Sequence, residues 1–526
     1  MTRLRFYGGI STIGGNCIVI EEDETRIMLD NGMCFSKENA FYKDFLNPRT
    51  NNDLRDYLDL GLVPKIPGIY GRDKIRDVCA SGLSANAEYL FKRDLISYED
   101  YLEEHGAPYL SAFFLTHCHL DHLRNVKFMS PEIPIYCSAI TKSLLKIIEN
   151  LSNEDFLCYK KPQIKELKSG YTPGELCKKK SDIERKIHII KPREIIEVPK
   201  SDLTFKIKAH PVDHSVPGAM AFEIFTKAGK RIIYTGDIRF HGHEHEKAIS
   251  EEFLTEAQKN PDVLITEGTR IDDNQKMSED DVFNNMLNFL HKDEELSCKL
   301  IIAAFPWKSI TRFHTLYKVA RQLNRCLVIQ AKLAFTIHNL QHYTSLNLRN
   351  ILHNDDLKIY LPRKRSMIYS DADYSRNKYN VSYTTEWSKN RDIELYSDLY
   401  DDILIRAYEI NEQPSDYVIQ LNFYDLNELI DIKPPEGSYL FNLKTEPFDE
   451  EGEFEEKVLM NWVHRFGLHY EKERYHASGH ASGDEILAMI NQLKPKKVFP
   501  IHTEHPELFQ VPNVIKDIEQ GKPYFI

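Results

Sequence analysis

The chain has 526 residues, of which 42% are hydrophobic and 28% are charged, and these proportions exclude a disordered, collagen-like or coiled-coil protein. The 68 basic and 80 acidic residues leave a formal net charge of −12, so a polyanionic partner would need locally basic surface or bound metal ions. No apolar run of about 18 residues is present and the N-terminus lacks a signal-peptide pattern, which predicts a protein without a membrane span. Nine cysteines without a Cys-x-x-Cys pair indicate reduced thiols and a cytoplasmic location.

The first half of the chain is patterned as short strands, several of which end in polar motifs. Strands are predicted at residues 4–7, 17–20, 26–29, 110–115, 203–207, 221–225 and 231–234. A helical patch is expected at 86–91, inside the long connection between the third and fourth strands. The lysine-rich stretch at 150–191 is weakly patterned, and we expect it to form an insertion on the surface.

The second half of the chain changes to an alternation of strands and helices. The predicted elements are a strand at 300–305, a helix at 310–323, a strand at 326–329, a helix at 485–493 and a strand at 497–501. The first three of these form a strand–helix–strand unit, which is typical of an α/β domain with a parallel sheet. Residues 446–456 are acidic, and we expect them to form a solvated loop.

The strongest chemical signal is the sequence His-Cys-His-Leu-Asp-His at residues 117–122, directly after a predicted buried strand. In an extended turn His117 and His119 can point to one metal ion, while Asp121 and His122 reach a second. Imidazole and carboxylate ligands suit zinc, and also manganese or iron. A polar loop with chance histidines is the alternative, but the density of ligand-type side chains favours metal binding.

The pattern His-x-His-x-Asp-His after a strand resembles the metallo-β-lactamase superfamily, and three further motifs occur in the order of that superfamily. Asp30 ends an early strand, His214 follows a later strand, and Asp237 ends the strand after that. Each position lies at the end of a predicted strand. Four motifs in the same order are more specific than any one of them alone.

Beyond Asp237 the sequence resembles the β-CASP nuclease subgroup, and within it the ribonuclease J family. Glu267 precedes a large α/β insertion, which is followed by Ala-Ser-Gly-His-Ala-Ser-Gly around His480 and Pro-Ile-His-Thr-Glu around His502. The resemblance extends over residues 7–504. One departure is that Glu267 is followed by Gly-Thr-Arg, where the subgroup usually has Ser-Thr.

The resemblance implies a metallo-β-lactamase αββα sandwich with an inserted α/β β-CASP domain, and an active site in the cleft between them. Residues 1–270 and 472–526 would form the sandwich, and residues 271–471 would form the inserted domain. The site would hold two divalent metal ions. Zinc is the expected metal, and manganese or magnesium are alternatives. The implied ligands are His117, His119, His214 and Asp237 for one ion, and Asp121, His122, Asp237 and His502 for the other.

Catalytic roles are expected for Asp121, Asp30, His480 and Glu267. Asp30 would accept a hydrogen bond from a ligand imidazole and fix its orientation, although a turn-forming role would also explain an Asp before Asn-Gly. His480 would protonate the leaving 3′-oxygen while Glu267 holds its charge and orientation. The alternative for His480 is a capping residue in a loop of glycines and serines.

Four other groups of polar residues have weaker assignments. Ser478 and Ser482 are candidate contacts to a substrate phosphate, although serines beside glycines are more often turn formers. The histidines at 241, 243 and 245 resemble a metal cluster, but we expect them in a solvated segment or at the rim of the cleft. The lysines between 160 and 180 and the basic residues 363–365 are expected to be solvated, unless they line one cleft and follow an RNA backbone.

These features together predict a metal-dependent ribonuclease that hydrolyses RNA phosphodiester bonds, as a 5′→3′ exonuclease with additional endonuclease activity. In the β-CASP subgroup a histidine at the last motif, here His502, favours RNA over DNA. Two alternatives stay open, a single-strand DNA nuclease of the same fold and a non-catalytic RNA-binding scaffold. The expected partner is the RNA substrate and not a membrane, and a second copy of the chain or RNA-processing proteins are further candidates.

Overall fold

The structure is a computed structural model, and it describes the chain apart from residues 43–45, 50–52, 76–93, 153, 161–181, 199–203, 364–370, 375–400, 444–449 and 473. Its strands are β1 (Thr2–Gly8), β2 (Cys17–Glu22), β3 (Thr25–Leu29), β4 (Ala112–Phe114), β5 (Ile135–Ser138), β6 (Cys158–Lys160), β7 (Asp182–Glu184), β8 (Ile187–Ile190), β9 (Ile195–Val198), β10 (Phe205–Pro211), β11 (Met220–Thr226), β12 (Arg231–Tyr234), β13 (Val263–Glu267), β14 (Ile301–Ala304), β15 (Cys326–Ile329), β16 (Leu357–Tyr360), β17 (Leu404–Ile405), β18 (Tyr417–Gln420), β19 (Tyr439–Asn442), β20 (His469–Glu471), β21 (Val498–Ile501) and β22 (Pro523–Phe525). Its α-helices are α1 (Phe35–Asn39), α2 (Asp53–Asp59), α3 (Arg72–Ile75), α4 (Tyr98–His105), α5 (Leu120–Leu123), α6 (Ala139–Leu151), α7 (Glu244–Glu256), α8 (Glu279–Leu290), α9 (Ile310–Gln322), α10 (Ala331–Leu340), α11 (Ala407–Glu412), α12 (Leu429–Ile432), α13 (Glu450–Arg465) and α14 (Gly483–Leu493). In the described part of the chain, none of these helices combines the length and the apolar character that a bilayer crossing requires.

Two mixed sheets pack face to face and form what we call the two-sheet unit. The seven-stranded sheet has the order β22-β1-β2-β3-β4-β5-β8, and the six-stranded sheet has the order β21-β13-β12-β11-β10-β9. The alternation of side chains along a strand explains this packing. In β1, Leu4 and Phe6 lie in the core between the sheets, while Arg3 and Arg5 point to the other face and pair with Glu21.

Helices cover the outer face of each sheet, which completes an αββα sandwich. Val19 of the seven-stranded sheet lies in one buried cluster with Leu144 of α6. Ile233 of the six-stranded sheet lies in another with Phe253 of α7 and Ile486 of α14. Because both faces are covered, strands such as β2 and β13 are buried along their whole length. The predicted fold class is confirmed.

A third sheet, with its flanking helices, forms what we call the parallel-sheet unit. All of its strand pairs are parallel, in the order β17-β16-β15-β18-β14-β19-β20. The predicted strand–helix–strand unit is present as β14, α9 and β15, and β18 lies between the two strands in the sheet. The fully buried apolar run of β14 fits the centre of a sheet that is covered on both faces.

After the parallel-sheet unit the chain returns to the two-sheet unit. β21 pairs in parallel with β13, and β22 pairs antiparallel with β1, so the last 30 or so residues extend both sheets. The helix and the strand predicted near the C-terminus are present as α14 and β21. The predicted division at residues 270 and 472 requires such a return, and the positions of the two boundaries stay a prediction.

Two expectations about loops are wrong where the structure describes them. Within the stretch 150–191, β8 pairs with β5 as an edge strand of the seven-stranded sheet, because its three isoleucines favour a strand despite the lysines nearby. Within the stretch 446–456, α13 begins at Glu450, since acidic residues stabilise the N-terminus of a helix. The helical patch at 86–91, the lysines from 161 to 180 and residues 364 and 365 lie outside the described residues.

Gly32 allows the loop after β3 to lie directly against the backbone of the predicted metal-binding sequence at residues 117–122. The backbone N–H of Asn31 donates to the carbonyl of His122 at 2.8 Å, and the N–H of Asn16 donates to that of Asp121 at 3.1 Å. A Cβ atom on Gly32 would overlap the carbonyl oxygen and carbon of Asp121. Only glycine therefore permits this backbone contact, which fixes the position of Asp121 and His122.

Substitution Gly32→Ala should force the two backbones apart, lower the free energy of unfolding by about 1–3 kcal/mol through overpacking, and weaken metal binding. The control is Gly61→Ala, because Gly61 has open space around it and a φ of +70°, which costs an alanine about 1–2 kcal/mol far from the motif. Denaturant unfolding and metal analysis of the purified proteins measure both effects. Equal metal content in the two variants would contradict this account of Gly32.

Candidate active site

The candidate residues converge at one edge of the two-sheet unit. Apart from His480, they lie at or just after the carboxyl ends of β3, β4, β10, β12, β13 and β21. Strands β3 and β4 run parallel, as do β12, β13 and β21, and the carboxyl ends of parallel strands open at the same edge of a sheet. The burial of this edge is nearly complete, since His117, His122, His214, Asp237 and His502 are each at most 3% exposed.

Four residues form a first cluster of ligand-type atoms. His119 Nδ1 lies 3.0 Å from His117 Nε2 and 3.1 Å from His214 Nε2. Asp237 Oδ2 lies 3.5 Å from His117 Nε2 and 3.7 Å from His214 Nε2. The four ligand atoms all lie within 4.8 Å of one another, so the structure brings together the set predicted for one ion.

A second cluster shares Asp237 with the first. His502 Nε2 lies 3.0 Å from Asp121 Oδ2, and His122 Nε2 lies 3.1 Å from Asp237 Oδ2. The second oxygen of Asp237 is 3.9 Å from His502 Nε2. The structure therefore brings together the other predicted set as well, with one carboxylate common to both.

Asp237 shows that these residues fit a metal centre. The residue is 1% exposed, yet neither of its carboxylate oxygens accepts a hydrogen bond from the described part of the chain. Buried polar atoms are nearly always hydrogen-bonded, and a buried carboxylate requires a compensating positive charge. Imidazole and carboxylate donors directed at one point are a suitable ligand set for a divalent cation.

The protonation states of the three imidazoles in the first cluster suit metal binding. Burial lowers the pKa values of His117 and His214 well below the usual range, and burial together with the charge of Lys308 lowers the pKa of His119 to about 3. These imidazoles are therefore neutral at pH 7, as ligands must be. Burial by itself would raise the pKa of Asp237, but His122 and His502 hold that pKa well below its usual range.

Asp30 holds one of the candidate ligands in place. Its carboxylate accepts hydrogen bonds from the backbone N–H and hydroxyl of Thr116, at 2.9 and 2.8 Å, and from the hydroxyl of Tyr234 at 2.6 Å. Its Oδ2 lies 2.7 Å from His122 Nδ1, so it accepts the ring N–H that faces away from the cluster. This is the contact that the orienting role of Asp30 requires, and the role itself stays a prediction.

Two further candidate ligands are oriented by groups that the sequence analysis missed. The carbonyl of Gly479 lies 2.6 Å from His214 Nδ1 and accepts its N–H. The hydroxyl of Thr269 lies 2.9 Å from His502 Nδ1 and donates to Glu267 Oε2 at 2.8 Å. The only sequence signal for these residues is their position, within two residues of a motif histidine or glutamate.

His480 and Glu267 form a pair beside the shared carboxylate. His480 Nδ1 lies 2.8 Å from Glu267 Oε2 and 4.0 Å from Asp237 Oδ2. Burial would lower the pKa of His480, but the two carboxylates outweigh it and raise the pKa to about 9. His480 is therefore a cation at pH 7 and can donate a proton. With Asp237 and Glu267 it also forms a third group of atoms within 4.8 Å, which could hold a cation instead.

The structure does not place the two predicted phosphate-binding serines in the cleft. Ser482 is fully buried, and its hydroxyl caps α14 by accepting the backbone N–H of Glu485. The hydroxyl of Ser478 accepts the N–H of His480 at 3.1 Å. Ser482 is engaged in the cap and is buried away from substrate, so its prediction as a phosphate contact is wrong. Neither serine lines the cavity between the two units.

A cavity of about 350 Å³ lies between the two units and opens onto both clusters. Its wall on the side of the two-sheet unit includes His119, Asp121 and His502, and its wall on the other side includes Lys308. Lys308 is half-buried, and within the described chain it forms no ion pair with a carboxylate. The sequence analysis missed Lys308, since no local pattern connects it with His119, Asp121 or His502, which are far away in the sequence.

The segment around His241 was expected to be solvated or to lie at the rim of the cleft, and the solvated form is wrong for two of its three histidines. His241 and His243 are at most 5% exposed, while His245 is 57% exposed. His241 Nε2 lies 3.0 Å from the carbonyl of Ser478, and His243 Nδ1 lies 2.7 Å from Asp280 Oδ1. His243 thereby connects the two-sheet unit with α8 of the parallel-sheet unit, whereas His241 contacts the segment that carries His480.

The comparisons with known proteins agree with this geometry. A profile described as a beta-lactamase superfamily domain matches residues 99–293, and one described as the RNA specificity domain of Zn-dependent metallo-hydrolases matches residues 468–511. Residues 99–293 therefore match a beta-lactamase superfamily domain, and the chain is a metal-dependent hydrolase. The two matched ranges contain all of the candidate ligands, and as a metallo-hydrolase the chain uses a divalent metal.

Similarity to individual proteins covers nearly the whole hydrolase. The chain is 21% identical over 525 residues to a protein named Ribonuclease J from Mycoplasma genitalium, and the match covers 98% of this chain and 70% of the relative. It is 22% identical over 526 residues to Ribonuclease J of Mycoplasma pneumoniae, with the same shares covered. A solved structure of a protein of unknown function from Enterococcus faecalis V583 has the same fold, with a TM-score of 0.67, 20% identity and 99% of both chains covered.

Substitution Asp30→Asn should weaken divalent metal binding by about 10–100-fold, because the ring N–H of His122 would lose its charged acceptor. Competition with a chromophoric chelator measures the affinity, and circular dichroism checks that the variant is folded. Tyr234→Phe is the matched control, since it removes a neutral donor to the same carboxylate and leaves the contact with His122. If Asp30→Asn binds metal as tightly as the unchanged protein, Asp30 does not orient His122.

Proposed function

We propose that the protein is a ribonuclease that hydrolyses phosphodiester bonds of RNA with two divalent metal ions. The observation that carries the proposal is the pair of ligand clusters that share Asp237, with His480 and Glu267 beside them in one cavity. The name Ribonuclease J of two relatives and the RNA specificity domain support RNA as the substrate. Zinc is the metal we propose, with manganese and magnesium as alternatives.

The chain's own residues divide the work of hydrolysis. When bound, two divalent ions would lower the pKa of a water molecule and neutralise negative charge on the phosphodiester. Asp237, common to both clusters, would fix the spacing of the two sites. His480 would donate its proton to the leaving 3′-oxygen, and because Glu267 engages Nδ1, the proton would leave from Nε2. The product would carry a 5′-phosphate.

The size and the position of the cavity favour a single strand. It lies between two units of the fold, and its volume of about 350 Å³ is at the low end of ligand pockets, which is too small for a duplex. We propose 5′→3′ exonuclease activity with additional endonuclease cleavage. A cytoplasmic location and partners such as a second copy of the chain or RNA-processing proteins stay predictions.

The decisive experiment incubates the protein with single-stranded RNA labelled at the 5′ end, in the presence of zinc or manganese. His480→Gln should lower kcat by about 10²–10⁴-fold, because it removes the proton donor while keeping a polar side chain. Asp121→Asn should abolish cleavage through loss of a metal ligand. His469→Gln is the control, since His469 is 52% exposed and lies outside the site, and its activity should equal that of the unchanged protein.

The products separate the remaining alternatives. Labelled mononucleotides indicate a 5′ exonuclease, and internal fragments indicate an endonuclease. Equal cleavage of single-stranded DNA would favour the DNA nuclease reading. RNA binding without cleavage under any metal would overturn the proposal and leave the scaffold reading.

Lys308→Gln should raise KM for RNA several-fold and leave kcat within about twofold, because the lysine would contact a substrate phosphate rather than the reacting bond. The dependence of log KM on log salt concentration should become shallower by about one unit. Lys318→Gln is the matched control, since Lys318 is exposed on α9. An unchanged salt dependence in Lys308→Gln would show that this lysine does not bind substrate.

A further inference from the structure

A buried polar network connects the parallel-sheet unit with the loop that carries His480. We call residues 476–481 the histidine loop. We propose that Arg312 and Arg239 are positioning residues, which hold the histidine loop so that His480 is aligned with the leaving oxygen. This inference rests on the proposed function, because it concerns the proton donor of that reaction.

The backbone of the histidine loop is held mainly by side chains, together with one backbone hydrogen bond from the N–H of Ala481 to the carbonyl of Ile238 at 2.7 Å. Four successive carbonyls each accept a hydrogen bond from a side chain of a different segment. Arg312 donates to Ala477 at 3.1 Å, Arg239 and His241 reach Ser478 at 3.3 and 3.0 Å, His214 donates to Gly479 at 2.6 Å, and Arg270 donates to His480 at 3.3 Å. A loop without a helical or sheet ladder takes its position from such donors, so their placement determines where His480 lies.

Arg312 provides the contact from the parallel-sheet unit. It lies in the first turn of α9, is 3% exposed, and forms a fork with Glu279 through Nε at 2.9 Å and Nη2 at 3.0 Å. Its Nη1 donates to the carbonyl of Leu443 at 2.8 Å. Glu279 also accepts the hydroxyl of Thr315 at 2.8 Å. The carboxylate of Glu279 on α8 therefore fixes the plane of the guanidinium. This orientation directs the Nη2–H of Arg312 at the carbonyl of Ala477.

Arg239 provides the matching contact from the two-sheet unit. It is 1% exposed, its Nε donates to Asp213 at 2.8 Å, and its Nη1 lies 3.8 Å from Glu279 Oε1. Glu279 thus faces both arginines and joins the two units. Because Asp213 directly precedes the candidate ligand His214, the same network borders the metal clusters and the proton donor.

A purely structural role for the network makes a different prediction. If the two arginines only stabilise the contact between the units, their replacement should lower stability and affect every reaction of the site equally. If they position His480, the loss should depend on whether the leaving group needs a proton. An alkoxide needs one, whereas p-nitrophenolate leaves without protonation.

The experiment compares Arg312→Lys on RNA and on bis(p-nitrophenyl) phosphate. Lysine keeps the charge but cannot form the fork with Glu279 and reach Ala477 at once. We expect kcat on RNA to fall by at least about tenfold with KM within about threefold, and the rate on the nitrophenyl ester to fall by less than about threefold. Bound metal, measured by elemental analysis, should stay unchanged. Arg321→Lys is the matched control on the same helix, since Arg321 is 63% exposed.

The remaining outcomes decide against the proposal. An equal loss on both substrates, a change in KM alone, a loss of bound metal or full activity of Arg312→Lys on RNA would each overturn it. If Arg312→Lys does not fold, Glu279→Gln replaces it, because this variant releases the fork and should show the same selective loss. If the unchanged protein hydrolyses the ester but not RNA, the proposed function fails, whereas RNA cleavage that Arg312→Lys leaves intact removes only this inference.

Discussion

The burial of the Asp237 carboxylate without hydrogen bonds is the constraint on which the rest of the site depends. Moving a carboxylate out of water costs several kcal/mol unless positive charge compensates it. Here the compensation must come from the interior, because eight ligand-type side chains surround Asp237, which is only 1% exposed. In the absence of an ion, Asp237, Asp30 and Asp121 raise the pKa of His122 against the effect of its burial. A cation that binds there must displace this proton, so metal affinity should fall as the pH is lowered.

The sandwich meets this constraint by bringing together residues that are far apart in the sequence. His117 and His502 are separated by most of the chain, yet β21 extends the sheet beside β13, with Ile501 opposite Glu267. The parallel-sheet unit does not interrupt this arrangement because the chain leaves and returns at neighbouring points. Arg270 and Ser482 form an isolated bridge, and the N–H of Gly483 donates to the carbonyl of Asp273. The length of the inserted segment can therefore vary without displacing the strand ends that carry the ligands.

The sequence was most informative where a local pattern has one physical cause. The spacing of His117, His119, Asp121 and His122 after an apolar run required only a strand and a turn to form a cluster, and the structure has both. It was least informative about contacts between distant segments. The burial of His241 follows from its packing against the histidine loop, which no local pattern reveals.

The same limit explains the other differences from the predicted fold and site. Ser482 was interpreted as a phosphate contact because its hydroxyl can hydrogen-bond to a phosphate, whereas the helix that follows it needs a cap. The sequence analysis did not predict β8 because lysines flank it on either side. Its place in the sheet depends on pairing with β5, about 50 residues earlier in the chain. The strand–helix–strand pattern near residue 300 indicated an α/β unit, but only the resemblance indicated that this unit is inserted in the sandwich, because the return of the chain to the first sheets depends on pairing between distant segments.

The distribution of charge in the cavity leaves the attraction of a phosphodiester to a few groups. Arg239 and Arg312 line the cavity, but Asp213, Glu246 and Glu279 neutralise them through contacts within 3.8 Å. The net charge of the chain is −12, so its overall field repels a polyanion. Without bound cations the cavity would therefore present Lys308 and His480 against the shared carboxylate and its neighbours. Metal ions that bind at the clusters reverse this balance, and because coupling between two ligands is reciprocal, a phosphodiester in the cavity should also tighten the binding of the ions.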